Sequence, residues 1–261
     1  MAEPFTFGIA VMARATAGDW GRVRRLLELT VRSARAAADA DTRVLVVGHE
    51  PGPEGVESLV VDWPAPDRSR FQDQMDDAGC KQRLIQQAVL DRGGGLLMLL
   101  DADDWVETGF VAAARAAIGP ERVGAVVEHG ALVDLRSRQV ASLPDPRIFD
   151  GPFHQVCGSS GVFRLRAEAA DPFRRNPLSE LRVHSRWAEE AEARGTPLGR
   201  IGAEAAYLVG TGENNSETVG PHADWKAGVV REVNRLGREM TEADAGRWGL
   251  ALSDVAGATE T

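Results

Sequence analysis

Apolar and polar positions follow two different periods along this chain. Short apolar runs stand at Phe5 to Met12, Val44 to Val47, Leu59 to Val61 and Leu96 to Leu100. Runs of this kind, bounded by polar or glycine-rich stretches, predict buried strands. Between the first two, Val23, Leu26, Leu27, Val31 and Ala34 keep the three-and-four spacing of one helical face, with Asp19 as the candidate cap. Cys80, Leu84 and Ala88, four apart, predict an apolar face on a second helix. That helix is expected to start near Asp77, after a Pro-containing loop over residues 64–75, and to stop at Gly93-Gly94-Gly95. A third helix is expected to end at Ile118, before Gly119-Pro120. The order β-α-β-β-α-β-α implies an α/β fold with a mostly parallel sheet flanked by helices. Ligands of such sheets bind beyond the carboxyl ends of the strands.

The second half has a more mixed pattern. Gly124 to Glu128, Ala131 to Asp134 and Gln139 to Ser142 read as short antiparallel strands, and Leu143 to Phe153 as a Pro-rich loop. Val162-Phe163 follows the small-residue turn Gly158-Ser159-Ser160-Gly161. A helix over residues 181–193, a strand over 205–209 and a helix through Trp225, Val229, Val233 and Leu236 complete the pattern. There is no internal repeat and no clear linker. The expectation is one domain over residues 1–254, with halves 1–118 and 119–254, and a frayed tail over 255–261.

Composition narrows the classes. Of 261 residues, 43% are hydrophobic and 26% charged, which excludes global disorder. The formal charge of -9 argues against nucleic acid as a partner. Cys80 and Cys157 share no CxxC spacing and read as reduced thiols. The first residues resemble no signal peptide, and no apolar run is long enough to cross a bilayer. The expected location is the cytoplasm.

The candidate chemistry is concentrated at Asp101-Ala102-Asp103-Asp104, directly after the run Leu96 to Leu100. Carboxylates crowded at a strand end repel one another unless a cation neutralises them. Hard oxygen ligands suit Mg²⁺ or Mn²⁺, whose coordination shell is usually completed by substrate phosphates and water. Asp101 and Asp103 are the candidate metal ligands, with Asp101 also in reach of a nucleotide. Asp104 is a candidate catalytic carboxylate. The rival reading is that Asp103 and Asp104 only cap the next helix.

The segment Leu97 to Trp105 resembles the DXD region of GT-A-fold glycosyltransferases, in particular the large group with an LDADD signature. Asp77, Gly79, Lys81 and Ala88 resemble the helix preceding DXD in that group. The resemblance covers about the first two-thirds of the chain. It implies a GT-A-like domain whose first half binds a nucleotide-diphosphate sugar, with a UDP-sugar favoured, and whose second half takes the acceptor. The acceptor would be a glycan, a glycolipid or another hydroxyl compound.

By the same resemblance, Arg14, Glu50 and Asp62 at the strand ends become candidates for base and ribose contacts. Glu50 departs from the group, which more often has Asp there. Lys81 is expected in the first turn of its helix. A lysine is disfavoured there unless an anion such as a diphosphate is present. Gly158, Ser159 and Ser160 correspond to a loop between donor and acceptor, where small residues let backbone N–H groups approach a ligand. No acid stands between Arg182 and Trp187, so His184 is the candidate general base. The late segment Gly212 to Ser216 has Asn215 where the group often carries a metal-binding histidine, which leaves His222 as the late ligand. Two other readings stay open. One is a protein that binds a nucleotide sugar with a degenerate catalytic site. The other is a nucleotidyltransferase, although Met12 to Gly18 fits poorly the Gly-rich basic loop such enzymes need after strand one. An Asp-X-Asp phosphatase would carry its motif after the first strand and is disfavoured.

Overall fold

A computed structural model of the protein describes residues 2–181, 183–213 and 220–258. The chain forms a mixed α/β domain whose main sheet is nearly all parallel. β1 (Phe5–Ala10), β2 (Thr42–Gly48), β3 (Glu57–Val60) and β4 (Gly94–Leu99) are mutually parallel. β6 (Gly124–Val127), β9 (Gly161–Arg166) and β10 (Gly199–Ile201) extend that sheet, giving the order β10-β6-β9-β4-β1-β2-β3. Only β9 runs against its neighbours, pairing antiparallel with β4 on one side and β6 on the other.

The pleat separates two cores. Phe5, Phe7 and Ile9 of β1 point into one core, together with Leu96 and Met98 of β4. Leu97 of β4 points into the other, with Leu45 and Val47 of β2. On this second face β1 offers only Thr6, Gly8 and Ala10. Small residues there let α2 (Phe71–Leu90) pack close against the strand. A Cβ on Gly8 would lie 2.3 Å from Cγ2 of Ile85, so no larger residue fits. Burial of Ile85 and Val89 from this helix contributes about 1.5–3 kcal/mol each. α1 (Trp20–Ala36) begins at Asp19, whose side chain accepts the Arg22 N–H as expected of a cap.

A second, five-stranded sheet has the order β12-β8-β7-β11-β5. It joins β5 (Trp105–Val106), β7 (Gly130–Asp134), β8 (Gln139–Leu143), β11 (Ala205–Val209) and β12 (Arg238–Glu239). α3 (Phe110–Ile118) follows β5, and Gly119 ends it at φ 53°. The segment expected as one helix over 181–193 is broken. α4 (Pro177–Glu180) ends before it, and the segment itself holds a 3-10 turn (His184–Arg186) followed by α5 (Trp187–Ala193). α6 (Ala223–Leu236), α7 (Glu242–Arg247) and α8 (Leu252–Gly257) complete the described chain. The tail expected to fray from residue 255 is instead packed as far as Ala258: Val255 and Ala258 are buried beside Trp248 and Leu250. Among the described residues, no helix is long and apolar enough to cross a membrane.

Three further expectations are corrected. α2 begins at Phe71, six residues before the expected start. Its buried face is Gln74, Lys81, Ile85 and Val89, whereas Cys80 and Leu84 are exposed. The helix after the aspartates starts at Phe110, beyond β5, with Gly109 at its cap position, so Asp103 and Asp104 do not cap it.

Candidate functional site

The parallel direction of β1, β2 and β4 brings their carboxyl ends to one edge of the sheet. A cleft of about 790 Å³ opens there. Its floor carries Asp101, Ala102 and Asp103, placed by the end of β4. Asp101 is exposed on the cleft floor. Loss of bulk hydration pushes its carboxyl above the usual range, and the charges of Lys226 and His184 and a bond from Ser159 oppose that rise. The Asp101 backbone N–H donates to Ser159 Oγ at 2.8 Å. Asp103 faces the cleft and accepts from Thr211 Oγ1 at 3.5 Å.

Asp104 does not share this exposure. Its carboxyl is fully buried, with Oδ1 accepting the Leu208 N–H at 3.0 Å and Oδ2 facing Cys157 Sγ at 3.4 Å. Burial pushes it well above the usual carboxylate range, and the neighbouring charges of Asp103 and Asp101 add to that. It fastens β11 to the aspartate turn and does not reach the cleft, so the expectation of a catalytic Asp104 is corrected.

His184 lies across the cleft floor from this turn. Its Nδ1–H donates to the His154 carbonyl at 2.9 Å, which leaves Nε2 as a proton acceptor. Gly158 sits between the two groups. A Cβ on it would lie 3.9 Å from the His184 ring and 4.0 Å from Asp101 Oδ2. Gly158 therefore belongs to the cleft, but Ser159 and Ser160 are buried behind it. Ser159 supports Asp101, and Ser160 donates to the Cys157 carbonyl. Neither serine touches the cleft.

Lys81 lines the cleft but is not at a helix start. It lies well inside α2 (Phe71–Leu90), so the argument from the helix dipole fails for it. Its side chain is 1% exposed. Nζ donates to Asp77 Oδ2 at 2.5 Å and to the Val11 carbonyl at 2.8 Å. Asp77 also accepts from Trp63 Nε1 at 2.9 Å and contacts His49 Nε2 at 3.0 Å. Burial raises the Asp77 carboxyl, but these three partners outweigh it and hold the group below its ordinary value. Burial draws the Lys81 ammonium down, and Asp77 and Glu50 oppose the fall. Lys81 thus anchors the end of β1 through two of its three N–H donors.

The strand-end residues Arg14, Glu50 and Asp62 do not line the cleft. Glu50 accepts the Arg14 backbone N–H through both oxygens, at 3.2 and 3.1 Å, and so closes the loop after β1. The Arg14 and Asp62 side chains are exposed.

His222 is at the cleft, one residue before α6. Asn215 lies outside the described residues. Among the described residues, no three His, Cys, Asp or Glu side chains converge closely enough to hold a metal ion, so Asp101, Asp103 and His222 do not form a ligand set. The donors that do fit a hard cation are Asp101 and Asp103. One or two carboxylates suffice when phosphate oxygens and water complete the shell, as is usual for Mg²⁺.

Two further residues, Lys226 and Glu213, line the cleft. Lys226 stands in the first turn of α6 and donates to the Tyr207 hydroxyl, with Nζ 4.7 Å from the ring centre. A lysine at that end of a helix is disfavoured without an anion nearby, so the argument applied to Lys81 belongs to Lys226. The Glu213 carboxylate accepts the Gly18 and Asp19 N–H groups at 2.7 and 2.8 Å, clasping the start of α1.

No protein-family model matches the chain, and no curated protein matches it by sequence. Two solved structures similar in shape are a 4-diphosphocytidyl-2C-methyl-D-erythritol synthase and a putative glucose-1-phosphate thymidylyltransferase from Bacillus anthracis in complex with a sucrose. The first is 13% identical, covering 90% of this chain and 99% of that one, with a TM-score of 0.39. The second is 11% identical, covering 90% and 96%, also with a TM-score of 0.39. Likeness at this distance carries nothing about activity.

Proposed function

We propose that the protein is a transferase acting on a nucleotide-activated sugar, and that it moves the glycosyl group from a nucleotide-diphosphate donor to a hydroxyl acceptor. The observation behind this reading is one cleft at the carboxyl ends of the parallel strands. It holds Asp101 and Asp103 on its floor, with His184 and Lys226 around them. Asp101 and Asp103 would hold Mg²⁺ or Mn²⁺, which when bound supplies positive charge for the departing diphosphate. Lys226 adds a side-chain cation near Asp101 and would stabilise the negative charge growing on the leaving group. His184 Nε2 takes the proton of the attacking hydroxyl, and the bond from Nδ1 to the His154 carbonyl fixes the ring and its tautomer. Ser159 holds the Asp101 backbone, and with it the spacing between the carboxylates and His184.

Nucleotidyl transfer is the second reading, since the same carboxylates and Lys226 would suit a triphosphate. It is weaker at the loop after β1: Met12 and Thr16 line the cleft there, but Arg14 does not.

Calorimetric titration with UDP, with and without Mn²⁺, tests the common part. Metal-dependent binding that is lost in Asp103→Ala supports a nucleotide site. Absence of metal-dependent binding for UDP, GDP, CDP and dTDP alike refutes it. Release of a nucleoside diphosphate from a nucleotide sugar identifies glycosyl transfer. Release of pyrophosphate from a nucleoside triphosphate and a sugar phosphate identifies the second reading.

A further inference from the structure

The wall of the cleft carries a signal that the carboxylates do not explain. Among the described residues, six large hydrophobic side chains are more than a third exposed, and Met75, Val183 and Trp225 of these line this one cleft. They are 44%, 49% and 43% exposed. A single exposed apolar side chain needs no explanation, but convergence on a concave site does. The three come from separate elements: Met75 from α2, Trp225 from the first turn of α6, and Val183 from the residue directly before His184.

That last placement decides which substrate the apolar wall serves. A hydroxyl that gives its proton to His184 Nε2 arrives beside Val183. The body of the acceptor then lies against hydrocarbon, while the polar donor lies over Asp101, Asp103 and Lys226. Aromatic faces such as Trp225 also stack on sugar rings, but branched and thioether chains like Val183 and Met75 offer a sugar no hydrogen bond. A cleft of about 790 Å³ is in the upper part of the range for small-molecule sites, roughly 300–1,000 Å³, and has room for both partners.

We infer that the acceptor is an amphipathic hydroxyl compound, with its reactive hydroxyl on or next to an apolar skeleton, and that Met75, Val183 and Trp225 bind that skeleton. This rests on the glycosyl-transfer reading of the same cleft.

The test uses octyl β-D-glucopyranoside, below its micelle concentration, and methyl β-D-glucopyranoside as probes. Each is titrated into the full chain by calorimetry, and UDP binding with Mn²⁺ is measured separately. Tighter binding of the octyl compound by at least tenfold is expected. That preference should fall at least fivefold in Met75→Ser/Val183→Ser but persist in Leu59→Ser, an exposed apolar residue outside the cleft. Equal affinity for the two glucosides, no binding of the octyl compound, or a preference that the double substitution leaves unchanged would overturn the inference. Intact UDP binding together with any of those results sinks the inference alone. Absence of metal-dependent binding for UDP, GDP, CDP and dTDP alike sinks the reading on which it rests.

Discussion

Replacing Lys81 with Met isolates the buried ion pair at the end of β1. Methionine keeps most of the side-chain volume, so the loss is electrostatic. Asp77 then retains only His49 and Trp63 as partners, and the Val11 carbonyl loses its donor. Removing one member of a buried pair costs roughly 3–5 kcal/mol. Protonation sets an upper limit. Neutralising a carboxyl of ordinary pKa, about 3.9, at pH 7 costs about 1.36 kcal/mol per unit, or about 4 kcal/mol in all. At pH 5 the same limit falls to about 1.5 kcal/mol.

The direction of the pH effect follows from the groups facing Asp77, which are Lys81, Trp63 and His49. In the parent the Asp77 pKa is depressed. Its contribution is present above the unfolded value and lost as pH falls through the folded value. In Lys81→Met the buried carboxyl moves upward instead, so its penalty is relieved as pH falls. Equilibrium urea unfolding should give a deficit of about 3–4 kcal/mol at pH 7 that shrinks by about half or more at pH 5, with an unchanged m-value. A deficit under about 1 kcal/mol at pH 7, or one independent of pH, would refute the reasoning.

Three further outcomes follow from the site and its supports. His184→Ala should lower glycosyl transfer by about 10²–10⁴-fold while UDP affinity is kept, as read by donor turnover and calorimetry; a loss of donor binding would move His184 out of the base role. Asp104→Asn, which keeps an acceptor for the Leu208 N–H, should retain metal-dependent UDP binding, in contrast to Asp103→Ala; its loss in a folded variant would return Asp104 to the site. Asp244 takes a bidentate bond from Arg238 at 2.5 and 2.6 Å and caps α7 with Thr241, so its pKa is held far down. Asp244→Asn should therefore cost about 1 kcal/mol at pH 7, given the half-exposed arginine, and the deficit should begin to shrink below the ordinary carboxylate range and be lost only as pH falls through the depressed folded value, so thermal melts should show it reduced at pH 3 but not abolished.

The strands covered on both faces were readable because burial on two sides leaves only apolar residues, as in Leu96 to Leu100. The aspartates were readable because they break that run abruptly. The alternation through β4 and the mostly parallel sheet follow from the same pattern. α2 misled the reading because its buried face is partly polar. Gln74 and Lys81 sit inside through specific bonds, and the stripe through Cys80, Leu84 and Ala88 faces outward or sideways. Ile85 and Val89, four apart, carried the right register. β5, β10 and β12 are two or three residues long, too short for any period to register. The role of Asp104 depends on a partner 104 positions away, Leu208, and Lys81 depends on Val11, so neither was visible locally. Lys226 was visible in principle, once the start of its helix was known.

The single reversed strand has a consequence for how the protein is made. β4 and β6 are both complete well before β9 leaves the ribosome, yet they cannot pair with each other, because β9 lies between them. A nascent chain that ends after Ile118 presents the open hydrogen-bonding edge of β4, flanked by Leu96, Leu97 and Met98, to any other strand it meets. Docking of β9 seals that edge. The same event brings in Gly158 and Ser159, the residues directly before it that set the Asp101 turn. Protection from misassembly and assembly of the carboxylate floor are thus one folding step. A split of the chain between its two halves would forfeit both.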